Sequence, residues 1–450
     1  MARVLGLSDV IGVTAGTIMG SAIFLAAAYV PRAVPHPSLV LVVWVVGGLI
    51  CVAGALTYAE LGTMYPEAGG QYQYLKQAFG PLPSFLFGWI SLLAIQSGGA
   101  AYIGVAFGEY LGVFIPFFSS KHVLASVPVG PWLWEPNTAQ LAGVAAILVL
   151  SAINYFGAKE GARTQTIITG IKVAALAGFI IVGLVVPAKV SPDWTGPLPS
   201  GNLLPSLVLA MVWVFGSFDG WYQATFSAGE IRRPERNLPL GMVGGTLGMI
   251  TLYALVNWVY LQALPIQAIG ASARIGEDAA SALLGTGAGR LLAATVLVSC
   301  FGCIASTLLG ASRIALPMAQ DGVFFRQLAT IHPRYLTPTV SIVMLAVWSS
   351  ILALSGSYQQ LFTYATLSAL MFHIATGAAV FWLRRTQPNL PRPYRTWGYP
   401  WVPAIFVLAT LCVVLVTLAQ QPKESLLGVG LVILGVPAFV WMRRSQRSDS

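Results

Sequence analysis

Long apolar stretches separated by short polar breaks run the whole length of the chain. Most match the roughly 20 residues that an α-helix needs to cross a bilayer, and Pro, Gly and charged residues punctuate them. The pattern predicts spans at about 7–29, 38–62, 82–114, 138–157, 164–187, 203–228, 239–263, 290–319, 338–356, 359–383, 400–420 and 425–442. The sixth opens after Pro205 and the seventh at Pro239. This is the layout of an all-α polytopic membrane protein with about 12 transmembrane helices. No soluble domain of ordinary size fits between the spans. The first apolar segment runs on too long and carries Asp9, which argues against a cleavable signal peptide.

Composition agrees. Of 450 residues, 56% are hydrophobic and 9% are charged, against about 25% charged in a soluble domain. The net charge of +9 reflects loops rather than a nucleic-acid surface, because no basic folded module is present. With the N-terminus inside, 17 Lys and Arg fall in cytoplasmic segments and 6 in outer loops, with Lys172 left within a span. The bias predicts both termini on the cytoplasmic side of a cytoplasmic membrane. Cys51, Cys300, Cys303 and Cys412 all fall in apolar stretches. Cys300 and Cys303 form a C-x-x-C without a second pair, so buried thiols are expected rather than a zinc site. No cysteine lies in an outer loop, so no disulfide-linked accessory subunit is expected. No cofactor or metal is expected either.

Two spans carry small residues at mid-membrane depth. The first contains Gly16-Thr17-Ile18-Met19-Gly20-Ser21-Ala22-Ile23-Phe24, and the sixth contains Phe215-Gly216-Ser217-Phe218-Asp219-Gly220-Trp221. The two segments lie five spans apart, so they cross the membrane in opposite directions. Small residues also serve helix packing. A matched pair in two halves points further, to the discontinuous helices of a transporter site. A break frees backbone groups, which are tolerated at this depth only where they line a cavity. The half-helix after a break presents N–H groups and a positive dipole end, suited to a carboxylate. The half-helix before it presents carbonyls, suited to an ammonium. One discontinuous helix thus offers both poles that a free amino acid needs. The candidate substrate site is Thr17, Ile18, Gly20, Ser21, Ala22 and Ile23 with Phe215, Gly216, Ser217, Phe218 and Asp219. Ser21 Oγ and the amides around Gly20, Ser21 and Ala22 would take the carboxylate. The carbonyls near Ile18 and Gly216 would take the ammonium.

At these residues the chain resembles the amino acid–polyamine–organocation superfamily, and within it the L-type amino acid transporter family and its bacterial relatives. Gly20-Ser21-Ala22-Ile23-Phe24 resembles the family's G-S-G-I-F element. The second span and following loop match as Ala59-Glu60-Leu61-Gly62 through Tyr65-Pro66-Glu67-Ala68-Gly69-Gly70, closed by Ala78-Phe79-Gly80-Pro81. Phe218-Asp219-Gly220-Trp221 is followed by Gly229-Glu230-Ile231 and by Pro234-Glu235-Arg236-Asn237-Leu238-Pro239. Ala311-Ser312-Arg313, Asp321-Gly322, His332-Pro333, Thr337-Pro338, Leu390-Pro391-Arg392-Pro393-Tyr394-Arg395 and Gly398-Tyr399-Pro400 complete the series. The resemblance implies a LeuT-type fold of two inverted five-helix repeats, 1–190 and 200–384, plus two C-terminal helices at 398–442, with helices 1 and 6 discontinuous. It implies amino acid transport, commonly as obligatory exchange. Two positions depart from the family pattern: Ala22 stands for the second Gly of G-S-G, and Gly216 stands where an aromatic gate residue is frequent, with Phe215 beside it.

Lys172 lies in the fifth span, where a charge costs a few kcal/mol unless it faces the bundle interior. The resemblance places it against the first broken helix, where sodium-coupled relatives hold a cation. Its ammonium would bond the carbonyls near Gly16 and Thr17 and make sodium unnecessary, or exchange a proton if burial lowers its pKa. Asp219 has three available roles: substrate amine, local backbone, or a cation. His373 reads as a packed polar residue or a proton relay. Glu230, Arg232, Arg233, Glu235 and Arg236 read as an inner gate or a solvated cluster.

An intramembrane enzyme would need a nucleophile with its base, or a metal cluster. The four histidines are scattered and no such motif occurs. A channel has no need of two matched breaks. The expected function is alternating-access transport of neutral amino acids as a sodium-independent exchanger. The alternative is a proton-coupled symporter of amino acids or polyamines. A polyamine would want several pocket carboxylates, and only Asp219 presents itself.

Overall fold

In hydrocarbon a backbone must satisfy its own polar groups, and the chain does so almost wholly with helices. The architecture is that of a computed structural model, which describes residues 3–20, 22–66, 69–129, 132–156, 161–199, 201–321, 324, 328, 330, 332 and 337–448. Ser21, and from the motif segments Glu67, Ala68, Gly322 and Pro333, lie outside the described residues.

Helix α1 (Leu7–Ile18) starts where the Asp9 carboxylate accepts a hydrogen bond from the Gly6 amide at 2.7 Å, the position at which an acidic residue favours a helix start. It stops at Ile18. Met19 has ψ 71°, outside the helical range, and the Gly20 amide turns back to the Ile18 carbonyl at 2.6 Å. Two 3-10 turns, Ala22–Phe24 and Ala26–Ala28, lead into α2 (Tyr29–Ala33). The first predicted span is therefore interrupted where its small residues cluster. Helix α3 (Pro37–Met64) is continuous and followed by the loop helix α4 (Gln71–Phe79). Next, α5 (Pro81–Ile90), a π-helical segment at Ser91–Gln96 and α6 (Ser97–Leu111) make one apolar run of 31 residues.

A two-stranded ribbon, β1 (Val127–Val129) against β2 (Trp132–Trp134), sits in the following loop with Val127 opposite Trp134. It departs from a purely helical expectation. Helices α7 (Thr138–Phe156), α8 (Gly161–Val185) and α9 (Leu203–Phe218) come next. Helix α9 ends at Phe218, because Asp219 has ψ 136° and Gly220 has φ +111°. A 3-10 stretch, Gln223–Glu230, precedes α10 (Pro234–Ala263). That helix opens at Pro234 rather than at the expected Pro239. Pro234 occupies the first turn, where a missing N–H is harmless, and Pro239 follows within the helix.

Two short helices, α11 (Ile266–Ala271) and α12 (Ile275–Leu284), were absent from the hydropathy pattern because neither is long enough to span. The remaining helices are α13 (Thr286–Gln320), α14 (Thr339–Ser355), α15 (Tyr358–Thr386), α16 (Trp401–Gln420) and α17 (Pro422–Ser448). Helix α15 opens on a reciprocal cap between Ser357 and Gln360.

Among the described residues, 9 helical runs are long and apolar enough to cross a membrane, and α1, α14 and the 170–185 part of α8 are shorter apolar helices. Large apolar side chains such as Val149, Ile181, Leu291, Val347 and Leu408 stand exposed, as a lipid-facing surface requires. Helix α10 packs on α1 and α3, and α3 on α9, while α6, α7, α13 and α14 form a second, mutually packed group. The first group is drawn close by glycines: a Cβ on Gly48 would lie 2.3 Å from Ile250, and one on Gly47 would lie 2.5 Å from Val214. Helix α15 touches both groups and is backed by α16 and α17.

Glu60, 1% exposed near the end of α3, ties distant parts of the chain together. Its two oxygens accept from Arg384 Nε and a terminal nitrogen at 2.9 and 2.7 Å, and the Thr396 amide donates to it at 2.7 Å. The Arg384 guanidinium also lies 3.7 Å from the Tyr399 ring centroid. Removing one partner of such a buried pair strands the other charge. Glu60→Ala is expected to cost about 3–5 kcal/mol, read as a lower melting temperature in detergent. Glu60→Ala with Arg384→Ala should cost less than the sum of the two alone. A Glu60→Ala protein as stable as the wild type would contradict this role.

Candidate functional site

The two chain breaks meet. Thr17 Oγ1 lies 3.0 Å from the Gly220 carbonyl, and a Cβ on Gly220 would fall 2.8 Å from the Thr17 carbonyl oxygen. Gly220 combines that approach with φ +111°, a region that L side chains avoid. Tyr253 of α10 bridges both breaks, its hydroxyl lying 2.9 Å from the Ile18 carbonyl and 3.3 Å from that of Ser217. Further along the first break, Tyr260 Oη lies 3.4 Å from the Ile23 carbonyl, and Tyr110 Oη donates to that of Phe24 at 2.8 Å. Tyrosine hydroxyls from α6 and α10 thus satisfy the carbonyls that the broken helix frees, as a low-dielectric interior demands. A Cβ on Gly20 would rest in ordinary contact, 3.8 Å from the Ile18 carbonyl oxygen and the Ala22 amide.

Beside the second break lies a cavity of about 510 Å³, counting its open mouth. Phe215, Gly216, Asp219 and Trp221 line it from the end of α9 and the turn beyond, and Ile95 and Tyr102 from the α5–α6 run. Cys51 of α3 adds to the wall, α15 supplies Ala365, Thr366, Ala369, Leu370 and His373, and α16 supplies Phe406 and Thr410. Of the residues expected from the sequence, Phe215, Gly216 and Asp219 line this cavity. Thr17, Ile18, Gly20, Ala22 and Ile23 form the neighbouring break. Ser217 Oγ donates to the Trp213 carbonyl of its own helix at 2.7 Å, and Phe218 is fully buried against Trp44 and Tyr253. Ser21 lies outside the described residues.

One wall escaped the sequence. Helix α15 has no break or motif to mark it, yet it carries five of the lining residues. His373 is among them, 3% exposed. Tyr58 Oη lies 2.7 Å from its Nδ1, and the Asp219 carboxylate lies 3.9 Å from its Nε2. The space above Gly216 is taken by Phe362 of α15: a Cβ on Gly216 would lie 2.4 Å from the Phe362 ring and 2.5 Å from Thr366 Oγ1. Phe362 stacks on Trp213 at 4.8 Å, and Trp213 stacks on Tyr29 of α2 at 3.9 Å. Arg32 caps this stack, 4.1 Å from the Tyr29 ring centroid, and donates to the Gly270 and Ser272 carbonyls. This aromatic lid fills the place expected for a single gate residue.

A second cavity of about 260 Å³ adjoins the first. Gln71, Phe87, Ser91, Gln96, Tyr222 and Phe226 line it, and Ile95, Ala369 and His373 face both cavities. The π-helical segment supplies Ser91, Ile95 and Gln96. Such insertions re-aim side chains and frequently mark functional sites, and no feature of the sequence announced this one.

Lys172, 4% exposed on α8, donates to Cys303 Sγ of α13 at 3.1 Å. This link between α8 and α13 differs from the expected bond to the Gly16 and Thr17 carbonyls. The charged segment 230–236 also behaves differently from an ion-pair gate. Its contact with the N-terminal segment is chiefly through backbone: the Glu230 carbonyl accepts from the Val4 and Leu5 amides at 2.8 and 3.0 Å, the Arg232 amide donates to the Leu5 carbonyl at 2.8 Å, and Arg232 Nε donates to the Arg3 carbonyl at 3.2 Å. Among the described residues an ion pair occurs elsewhere, between Lys76 of α4 and Asp321 at 2.7 Å. Tyr72 donates to the same carboxylate at 2.7 Å. Burial first, then the hydrogen bond and charge of Asp321, push the Tyr72 phenol above its ordinary range.

Residues 5–437 match the amino acid permease family. The chain is 28% identical to the serine/threonine exchanger SteT of Bacillus subtilis (strain 168), over 99% of this chain and 98% of that protein. It is 29% identical to the human b(0,+)-type amino acid transporter 1, over 97% of this chain and 87% of the relative. It is also 29% identical to the human large neutral amino acids transporter small subunit 2, over 97% and 79%. Two joined helix breaks beside a membrane-embedded cavity, with a family match across nearly the whole chain, lead to one conclusion: this chain belongs to the amino acid permease family and is an amino acid transporter of that superfamily, not an enzyme.

Proposed function

We propose that the protein exchanges neutral amino acids across the cytoplasmic membrane by alternating access, without sodium, with both termini cytoplasmic. The observation that carries this is the contact of the two breaks beside the 510 Å³ cavity. The substrate carboxylate is taken by the amides that open the 3-10 turn Ala22–Phe24, which have no partner within the turn, and by Ser21. The ammonium is taken by the Ile18 and Gly216 carbonyls. Ile18 already accepts from Tyr253 and from the Gly20 amide, so an ammonium there takes the place of one of these donors. The substrate side chain enters the cavity, where Ile95, Phe215, Trp221, Leu370 and Phe406 favour a neutral group.

The nine long helices and three shorter ones among the described residues support twelve traverses arranged as two inverted repeats of five plus two further helices. The two packed groups support a rocking motion of α1, α3, α9 and α10 against α6, α7, α13 and α14. Lys172 bonds Cys303 between α8 and α13 rather than the carbonyls of the first break, so sodium independence is proposed without it. Exchange is favoured by the relative named as a serine/threonine exchanger.

Counterflow in proteoliposomes checks the exchange reading. Vesicles loaded with neutral amino acids should accumulate labelled ones saturably, with or without sodium, and empty vesicles should not. Equal uptake into empty vesicles would reject exchange, and sodium dependence would reject the sodium-free reading. Tyr253→Phe removes the hydroxyl that ties the two breaks. It should lower counterflow about five- to tenfold, as loss of one buried hydrogen bond would, while the melting temperature stays near that of the wild type. Unchanged counterflow would dissociate Tyr253 from the site.

A further inference from the structure

His373 stands where the two cavities meet and lines both. Tyr58 Oη lies 2.7 Å from Nδ1, and the rings of Trp221 and Tyr222 pack at centroid distances of 5.3 and 4.9 Å. Its free nitrogen, Nε2, faces Asp219 Oδ1 at 3.9 Å. That is too long for a hydrogen bond and short enough to close by a small side-chain rotation. The ionisable groups around the ring are Tyr58 of α3 with Tyr74 of α4 behind it, Tyr222 and Asp219 beyond α9, and Cys51 and Tyr102 across the cavity. The α16 wall, Phe406 and Thr410, has none. Asp219 is the one carboxylate in this set.

The Asp219 side chain is 37% exposed, and the opening before it is the cavity assigned above to the substrate side chain. A neutral amino acid that fills this space takes the carboxylate out of contact with water. An ionised carboxylate buried without a partner is costly. The imidazole is placed to remove that cost. In the neutral ring, Tyr58 donates to Nδ1. In the charged ring both nitrogens are donors: Nδ1–H points to Tyr58 Oη, which turns its own proton away, and Nε2–H meets Asp219. The change needs only the small side-chain rotation that closes the 3.9 Å gap. Gln71, Ser91 and Gln96 give the second cavity a polar lining on the far side of the ring.

We infer that His373 is a proton-binding site coupled to the substrate: a neutral amino acid seated in the cavity takes up a proton on His373, which then pairs with Asp219. This rests on the assignment of the cavity to the substrate side chain. The added proton sits on Nδ1, Nε2 already carrying the ring's own; it comes from solvent and returns to solvent when the substrate leaves, so nothing is oxidised or reduced. Because the bound state holds the proton more tightly, affinity falls as pH rises. Linkage makes the effect reciprocal.

The test uses purified full-length transporter in weakly buffered detergent solution with a pH-indicator dye. A mixture of serine, threonine and leucine is added as the probe, and binding is followed in parallel with labelled leucine. The wild type should take up protons on binding and bind leucine at least about fivefold more tightly at acid than at alkaline pH. His373→Gln, which keeps a hydrogen-bonding group for Tyr58, should bind with no proton uptake and a flat pH profile. Asp219→Asn should also lose the uptake, since no charge then needs a partner. Binding by the wild type without proton uptake would overturn the proposal, whatever the variants do. Uptake preserved in His373→Gln would overturn it as well. No binding of any probe by the wild type at any pH would overturn the substrate assignment of the cavity itself, and the proton site with it.

Discussion

A helix broken inside a membrane leaves carbonyls and amides that water cannot reach, and everything at the centre of this protein follows from how those groups are met. Tyr253 is the hinge of the solution. One hydroxyl on α10 reaches a carbonyl in the last turn before each break, at Ile18 and Ser217. Gly220 lets the second break press against the first at Thr17. Tyr110 and Tyr260 complete the set. The breaks are thereby fixed to α10 and α6 and held in contact. A backbone held open in this way presents dipoles of both signs at one point, which is the chemistry a zwitterion requires.

The wall opposite the breaks is of another kind. Helix α15 is regular from Tyr358 to Thr386 and contributes side chains rather than backbone groups. Its upper turns, through Tyr358 and Phe362, join Trp213, Tyr29 and Tyr102 in the aromatic lid. Its middle turns line the cavity, and His373 below them divides that cavity from the next. Since α15 packs on both helix groups, a rocking of one against the other would act on the lid and on the His373 partition together. Gly216 fits this arrangement, because any larger residue would collide with Phe362.

What was legible in the sequence was the backbone part of the site. The two Gly-Ser pairs, Gly20-Ser21 and Gly216-Ser217, mark the breaks because small residues are conspicuous in an apolar run, although the second helix continues to Phe218 and turns at Asp219 and Gly220. Phe215, Gly216 and Asp219 were found because they adjoin such a break. His373, Thr366 and Tyr102 sit in uninterrupted helices, where the inward face is chosen by tertiary packing and not by a local signal. Glu60 stood in a recognisable motif, yet its partner Arg384 comes from the far end of another helix, and nothing local names that pairing. The π-helical turn at Ser91–Gln96 has an ordinary helical composition. Lys172 was correctly read as buried, but its neighbour Cys303 depends on how α8 meets α13.

The central claim is that an amino acid sits at the joined breaks with its side chain in the cavity under α15. Substrate protection of a single thiol tests it most directly. Thr366→Cys would be introduced into a cysteine-free background that retains counterflow, and its labelling by a small membrane-permeant maleimide timed with and without saturating transported amino acid. The account predicts that the amino acid slows labelling at 366 several-fold, while a non-transported amino acid leaves the rate alone. Labelling that proceeds at the same rate in both conditions, in protein still active in counterflow, would place the substrate elsewhere.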